Sequence, residues 1–126
     1  MSEKYKDSTS SREGVYILRE GSENKLLSLL GFAARARRLV CGADQCRDEI
    51  RRGRLPLTIV AADASDNTKK RIADACRYYG ADMCIVPISS TLLSNRIGKS
   101  ASIAVIGVAD MNFVNGITAL FESASH

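Results

Sequence analysis

One histidine stands in the whole chain, and it is the final residue, His126. Nucleophilic hydrolases of the Ser/His or Cys/His type therefore lack an internal imidazole to serve as the base. Also missing are a G-x-S-x-G elbow, a P-loop and a G-x-G-x-x-G turn after a strand, which removes the usual signatures of acyl transfer and nucleotide chemistry. No apolar run approaches the roughly 20 residues that a membrane helix needs. The start, Met1-Ser2-Glu3-Lys4-Tyr5-Lys6-Asp7, has no apolar stretch of the signal-peptide kind. A soluble, cytoplasmic, non-enzymatic protein is expected, with no membrane contact. Cys41, Cys46, Cys76 and Cys84 form no C-x-x-C pair, and their spacing matches neither a zinc finger nor a zinc ribbon. Cys76 and Cys84 fall within apolar patterns, where cysteine acts as a small hydrophobe. No metal and no other cofactor is expected, and there is no internal repeat.

The 126 residues suit one domain, and 45% hydrophobic residues suffice for one core. Residues 1–22, rich in Ser, Lys and Glu, read as a flexible arm with one short extended piece at Val15-Tyr16-Ile17-Leu18. Residues 23–126 read as the folded domain. Leu26, Leu29, Leu30 and Ala33 recur at helical spacing behind Asn24, a candidate cap, with Arg35, Arg37 and Arg38 in the last turn. Leu39-Val40-Cys41 is the first strand. Gly42 opens a second helix over 43–52, with Ala43, Cys46 and Ile50 inward. Leu57-Thr58-Ile59-Val60-Ala61-Ala62 reads as a strand covered on both faces. A helix capped by Ser65 or Asp66 runs to Tyr79 and stops at Gly80. A strand over 83–86 follows, then a short helix opened by Ser89-Ser90-Thr91-Leu92-Leu93 that ends near Gly98. The last buried strand covers 103–108, and a final helix capped by Asp110 runs through Phe121. A helix followed by four strand–helix pairs predicts a three-layer α/β/α sandwich around a four-stranded mixed sheet.

Charge is placed unevenly. Seven arginines lie between Arg35 and Arg54, against Asp44, Asp48 and Glu49, so this window carries the whole net charge of +4. The segment has no lysine, and arginine is the side chain suited to bidentate phosphate contacts and stacking. Within it, Gly42 precedes a helix whose first N–H groups are free donors at a positive dipole end. Arginines of the preceding helix end would flank that point, and Asp44 and Gln45 would offer contacts to base edges. The structural alternative is a solvated helix face, with Asp44 a dipole-matched first-turn acid paired to Arg47, or Asp48 paired to Arg52. Asp63, at the end of the second strand, would need an acidic pair at the end of the first to act as a phosphoacceptor. Cys41-Gly42 stands there, so Asp63 is expected to shape the turn into Ser65.

The runs Leu30-Gly31-Phe32-Ala33-Ala34-Arg35-Ala36-Arg37-Arg38, Gly42-Ala43-Asp44, Ala62-Asp63-Ala64-Ser65-Asp66-Asn67-Thr68 and Arg96-Ile97-Gly98-Lys99 resemble the YlxQ-type bacterial branch of the L7Ae/L30e ribosomal-protein family. The resemblance extends over about 25–121. It implies an L30e-like sandwich that docks on kink-turns, sharply bent RNA helices with tandem G·A pairs. It also implies that the helix after the glycine enters the RNA groove. The family pattern there is Gly-x-Asn-Glu with a lysine four residues after the Asn. Gly42 matches, Asp44 and Gln45 stand at the Asn and Glu positions, and Asp48 stands at the lysine. A carboxylate at position 44 accepts hydrogen bonds but cannot donate them. The second RNA contact, a loop before the last strand, corresponds by resemblance to Ile88-Ser89-Ser90-Thr91-Leu92-Leu93. The expected RNA-binding set is thus Arg35, Arg37, Arg38, Gly42, Asp44, Gln45, Asp48, Arg51, Ser89, Ser90, Thr91 and Leu92. The expected partner is structured RNA of ribosomal or kink-turn type, with the ribosome as a candidate setting, bound by a monomer. The alternative is a protein-interaction module that has lost kink-turn specificity, with Leu92-Leu93 and Phe113 as its apolar patch.

Overall fold

The computed structural model describes residues 16–123. The first fifteen residues, most of the arm expected over 1–22, lie outside the described residues, as does His126. The extended piece expected near Val15-Tyr16-Ile17-Leu18 appears as β1 (Tyr16–Leu18). This strand belongs to the packed domain, not to an arm: Leu18 is buried in the core, and β1 pairs antiparallel with β6 (Phe121–Ser123). The helix predicted through Phe121 accordingly ends earlier. α5 spans Met111–Thr118 behind an Asp110 cap, and Phe121 is buried as a strand residue.

Between them run α1 (Glu23–Arg35), β2 (Leu39–Cys41), α2 (Ala43–Arg51), β3 (Leu57–Ala61), α3 (Asp66–Tyr79), β4 (Asp82–Val86), α4 (Ser90–Arg96) and β5 (Val105–Val108). The second sheet has the order β2-β5-β3-β4, with β3 parallel to β4 and the other two pairings antiparallel. The expected four-stranded mixed sheet of a three-layer α/β/α sandwich is present.

Side-chain alternation along β3 assigns its two faces. Leu57, Ile59 and Ala61 pack with Leu26, Leu30, Leu93 and Ile117 from α1, α4 and α5. Val60 packs with Cys46, Ile50, Ile72 and Cys76 from α2 and α3. Each fully buried leucine or isoleucine contributes on the order of 1.5–3 kcal/mol by leaving water. Gly107 in β5 exists for packing: a Cβ there would run into the side chain of Leu55.

The helix ends follow side-chain chemistry, with two departures. Ser65 Oγ accepts from Thr68 N–H, and Gly80 closes α3 in the left-handed region at φ 75°. Ser22, not Asn24, stands at the N-cap of α1. α1 ends at Arg35, so Arg37 and Arg38 lie beyond the helix and not in its last turn. Arg37 N–H donates to Ala34 O and Arg38 N–H to Ala33 O, the paired bonds of a Schellman motif. Arg37 occupies its left-handed position at φ 60°, where glycine is usual.

Candidate nucleic-acid interface

The strand directions bring four chain segments to one end of the main sheet. β2, β3 and β4 finish there and β5 begins there. Gly42 N–H donates to Val105 O (2.9 Å), Ala61 N–H to Ala104 O (2.8 Å) and Ala62 N–H to Ile88 O (3.0 Å), which ties the four together. Gly42 takes φ 100° and ψ 146°, backbone that L side chains rarely adopt. Nothing lies within 4 Å of where its Cβ would stand, so the approach to α2 is open. The first bond inside α2 runs from Cys46 N–H to Gly42 O (3.0 Å). The N–H groups of Ala43, Asp44 and Gln45 precede it and no side chain caps them, leaving donors at a positive dipole end.

Beside Gly42 runs the loop 97–104, which leads into Val105 and lies outside the residues expected at the site. It is pinned at several points. Lys99 N–H donates to Ser94 O (2.9 Å), Ile103 N–H donates to Ser94 Oγ (2.6 Å), and Ser102 Oγ lies 2.8 Å from Ser90 Oγ. Lys99 stands close enough to Cys41 for its charge to pull that thiol pKa down, partly offsetting the larger upward push from burial. The signal available in sequence was Arg96-Ile97-Gly98-Lys99, where Gly98 takes φ 80° just past α4.

A family model for the Ribosomal protein L7Ae/L30e/S12e/Gadd45 family matches residues 24–115. This chain belongs to that family. Among its relatives, "RNA-binding protein YlxQ" of Bacillus subtilis (strain 168) is 40% identical over 94 residues, which is 75% of this chain and 92% of the relative. "RNA-binding protein YlxQ" of Enterococcus faecium is 33% identical over 105 residues, 83% of this chain and 99% of the relative. A solved structure of a protein of unknown function from Bacillus halodurans C superposes with a TM-score of 0.72 at 40% identity, covering 78% of this chain and 97% of that one. The Giardia lamblia 15.5kD RNA binding protein shares the fold at a TM-score of 0.68 and 23% identity, over 82% and 89% of the two chains.

Several residues expected at the L7Ae-type site stand elsewhere or are otherwise engaged. Arg38 and Gly42 flank opposite ends of β2, roughly 13 Å apart by strand rise. Arg38 pairs with Asp110 (3.5 Å) at the start of α5. Arg35 lies over the half-exposed ring of Phe32 (5.0 Å), and Arg37 faces solvent. The helix-end arginines therefore do not converge on Gly42 as expected, because β2 separates them from it. Asp44 pairs with Arg71 of α3 (3.4 Å) and not with Arg47. Asp48 pairs with Arg52 (3.3 Å), as the structural alternative held, and also with Arg51 (2.5 Å).

The segment 88–93 is not the loop before β5. Ser89 caps α4 by accepting from Leu92 N–H (3.2 Å), and Ser90 lies buried at its first turn. The Asp63 carboxylate accepts from both Ser90 N–H (2.9 Å) and Ser90 Oγ (3.1 Å). Asp63 thus joins the end of β3 to the start of α4, a longer reach than the turn expected of it. Thr91 and Leu92 face outward, whereas Leu93 is fully buried and Phe113 packs partly into the core. The apolar patch proposed for a protein-interaction module does not assemble, because only Leu92 of its three members is exposed.

Proposed function

We propose that this chain is a non-enzymatic RNA-binding protein that docks on structured RNA, of kink-turn type, as a monomer in the cytoplasm, with ribosomal RNA as a candidate target. Contact is made through the sheet end where α2 begins. The observation that carries this reading is the unobstructed start of α2 at Gly42 beside the loop that holds Lys99. Free N–H groups at a helix start donate to phosphate oxygens, and a neighbouring lysine adds a point charge. Asp44 and Gln45, both exposed, stand where base edges would be read, and Thr91 and Leu92 flank the same end of the sheet. Two relatives that this chain covers almost end to end are named RNA-binding proteins, which supports the class of ligand.

The test is a pair of binding curves, for a kink-turn RNA and a plain duplex of equal length, across a salt series. The kink-turn should bind at least about tenfold tighter, a difference of about 1.4 kcal/mol. Lys99→Ala should weaken binding and flatten the salt dependence by about one unit of slope. Equal affinity for the two RNAs would remove the kink-turn assignment. If Lys99→Ala and Gln45→Ala change nothing while Arg38→Ala weakens binding, the RNA surface lies at the other end of β2.

A further inference from the structure

The facing surfaces of α2 and α3 form a cleft that the docking surface meets at its rim, through Asp44 and Gln45. Asp44, Arg47, Asp48 and Arg51 fall at i, i+3, i+4 and i+7 and share one face of α2. Arg71, Asp74, Ala75 and Tyr78 make a matching row along α3. Between the rows lies an open cleft of about 700 Å³, with Tyr79 also on its wall. That volume falls within the ~300–1,000 Å³ typical of small-ligand sites.

Two properties of the cleft call for a ligand of particular chemistry. The first is aromatic. Tyr78 is 81% exposed, and the ring of Tyr79 meets it edge-on with centroids 4.7 Å apart. A large apolar ring left in water and braced by a second ring is a ready stacking surface. The second property is charge. Each carboxylate here is already engaged: Asp48 by Arg51 and Arg52, Asp74 by Lys70 and Arg77, and Asp44 by Arg71. The lining itself holds three acids and three arginines. Because Asp74 is taken up from outside it by Lys70 and Arg77, and Asp44 and Asp48 by Arg71 and Arg51, among the described residues no carboxylate pairs with Arg47. A protein partner would favour an interface centre depleted of charge, whereas an uncompensated arginine beside an exposed aromatic ring suits single-stranded nucleic acid.

We infer that the α2–α3 cleft holds an unpaired nucleotide of the bound RNA, with its base stacked on Tyr78 and its phosphate beside Arg47. This inference rests on the RNA-docking reading above. Asp44 and Gln45 belong both to the start of α2 and to the rim of the cleft. RNA seated at Gly42 therefore meets the cleft without leaving the protein surface. Stacking is tolerant of base identity, so the cleft adds affinity for a single-stranded flank and not for a particular sequence.

The experiment uses the full chain and three probes: a kink-turn stem with flush ends, the same stem with a five-adenosine single-stranded tail at either end, and an adenosine decamer alone. In wild type a tail should raise affinity about 5- to 150-fold, the span of one base–aromatic stack. Tyr78→Ala should abolish the gain while leaving flush-stem affinity and the melting temperature unchanged. Tyr78→Phe, which keeps the ring, should retain it. A 2-aminopurine in the tail should be quenched on binding by wild type and Tyr78→Phe only. A gain that survives Tyr78→Ala, or no gain over a stem that does bind, overturns the cleft assignment and leaves the docking reading standing. Should neither stem bind, the docking reading falls and the decamer decides alone: Tyr78-dependent binding upholds the cleft, and its absence overturns it.

Discussion

Asp48 is the residue where the family pattern and the structure pull hardest against each other. It stands where a lysine is expected to meet RNA, yet its carboxylate holds Arg51 and Arg52 at 2.5 and 3.3 Å on a partly exposed helix face. Asp48→Lys removes both pairs and places a third cation beside the two it frees. Exposed pairs of this kind contribute about 0.2–1 kcal/mol each, and like charges one turn apart cost a similar amount. The domain should therefore lose about 1–2 kcal/mol. At about 4 °C per kcal/mol for a domain of this size, a thermal melt will resolve the loss. RNA binding should move the other way. Two released guanidinium groups and one new ammonium supply up to three further phosphate contacts, each adding about 0.9 to the salt slope on a duplex. Affinity for a kink-turn RNA should rise roughly tenfold or more at fixed salt, since a hydrogen bond to a charged group contributes about 1.5–3 kcal/mol. A larger gain on the kink-turn than on a plain duplex places this face of α2 in the bent groove. An equal gain on both reports added charge alone. Unchanged affinity in a variant that melts as expected would refute the reasoning, because the outer face of α2 would then lie off the RNA.

Gly42→Val should lower both stability and RNA affinity: its φ of 100° carries a strain of about 1–3 kcal/mol for any L side chain. A melting curve with binding measured well below the midpoint separates the two losses, and an unchanged melt would mean that the backbone there relaxes. Gly107→Ala should cost about 1–3 kcal/mol by driving a methyl group into Leu55, and the double variant with Leu55→Val should recover part of it. Denaturant titrations of the four proteins give the coupling, and simple additivity would contradict the contact. Burial pushes the thiols of Cys46, Cys76 and Cys84 up to about 12, from an unfolded value near 9.0. The folded state then retains protons that the unfolded state releases, so their stabilisation is complete below about pH 9 and declines by about 1.4 kcal/mol per pH unit per thiol as the pH rises toward 12. Urea titrations at pH 7, 9 and 10.5 test this, and a flat profile above pH 9 would refute it.

Much of the architecture was legible in local pattern. The unbroken apolar run of β3, the Ser65 cap and the Gly80 stop depend on neighbours within a few residues, and each stands where its chemistry requires. The same holds for Gly42, whose place before a charged amphipathic helix marked the start of α2 before its dihedral angles were known. The ends of the chain were harder. Tyr16–Leu18 and Phe121–Ser123 each make a poor element alone and become strands only by pairing across more than a hundred residues. Periodicity cannot report such a partner, so local pattern yields only an extended piece within an arm at β1 and a helix end at Phe121.

The order of residues alone determined that the positive excess lies in one arginine-rich window and that no internal histidine is present. It could not determine which of those arginines face the same way. Only the tertiary structure decided that Arg38 turns to Asp110 at the start of α5, that the strand β5 behind loop 97–104 meets Gly42, and that Arg71 and Tyr78 of α3 stand opposite the α2 row. The physical reason is that helix and strand periods fix directions within one element. Which elements become neighbours follows from strand order and polarity in the sheet, which no local period encodes.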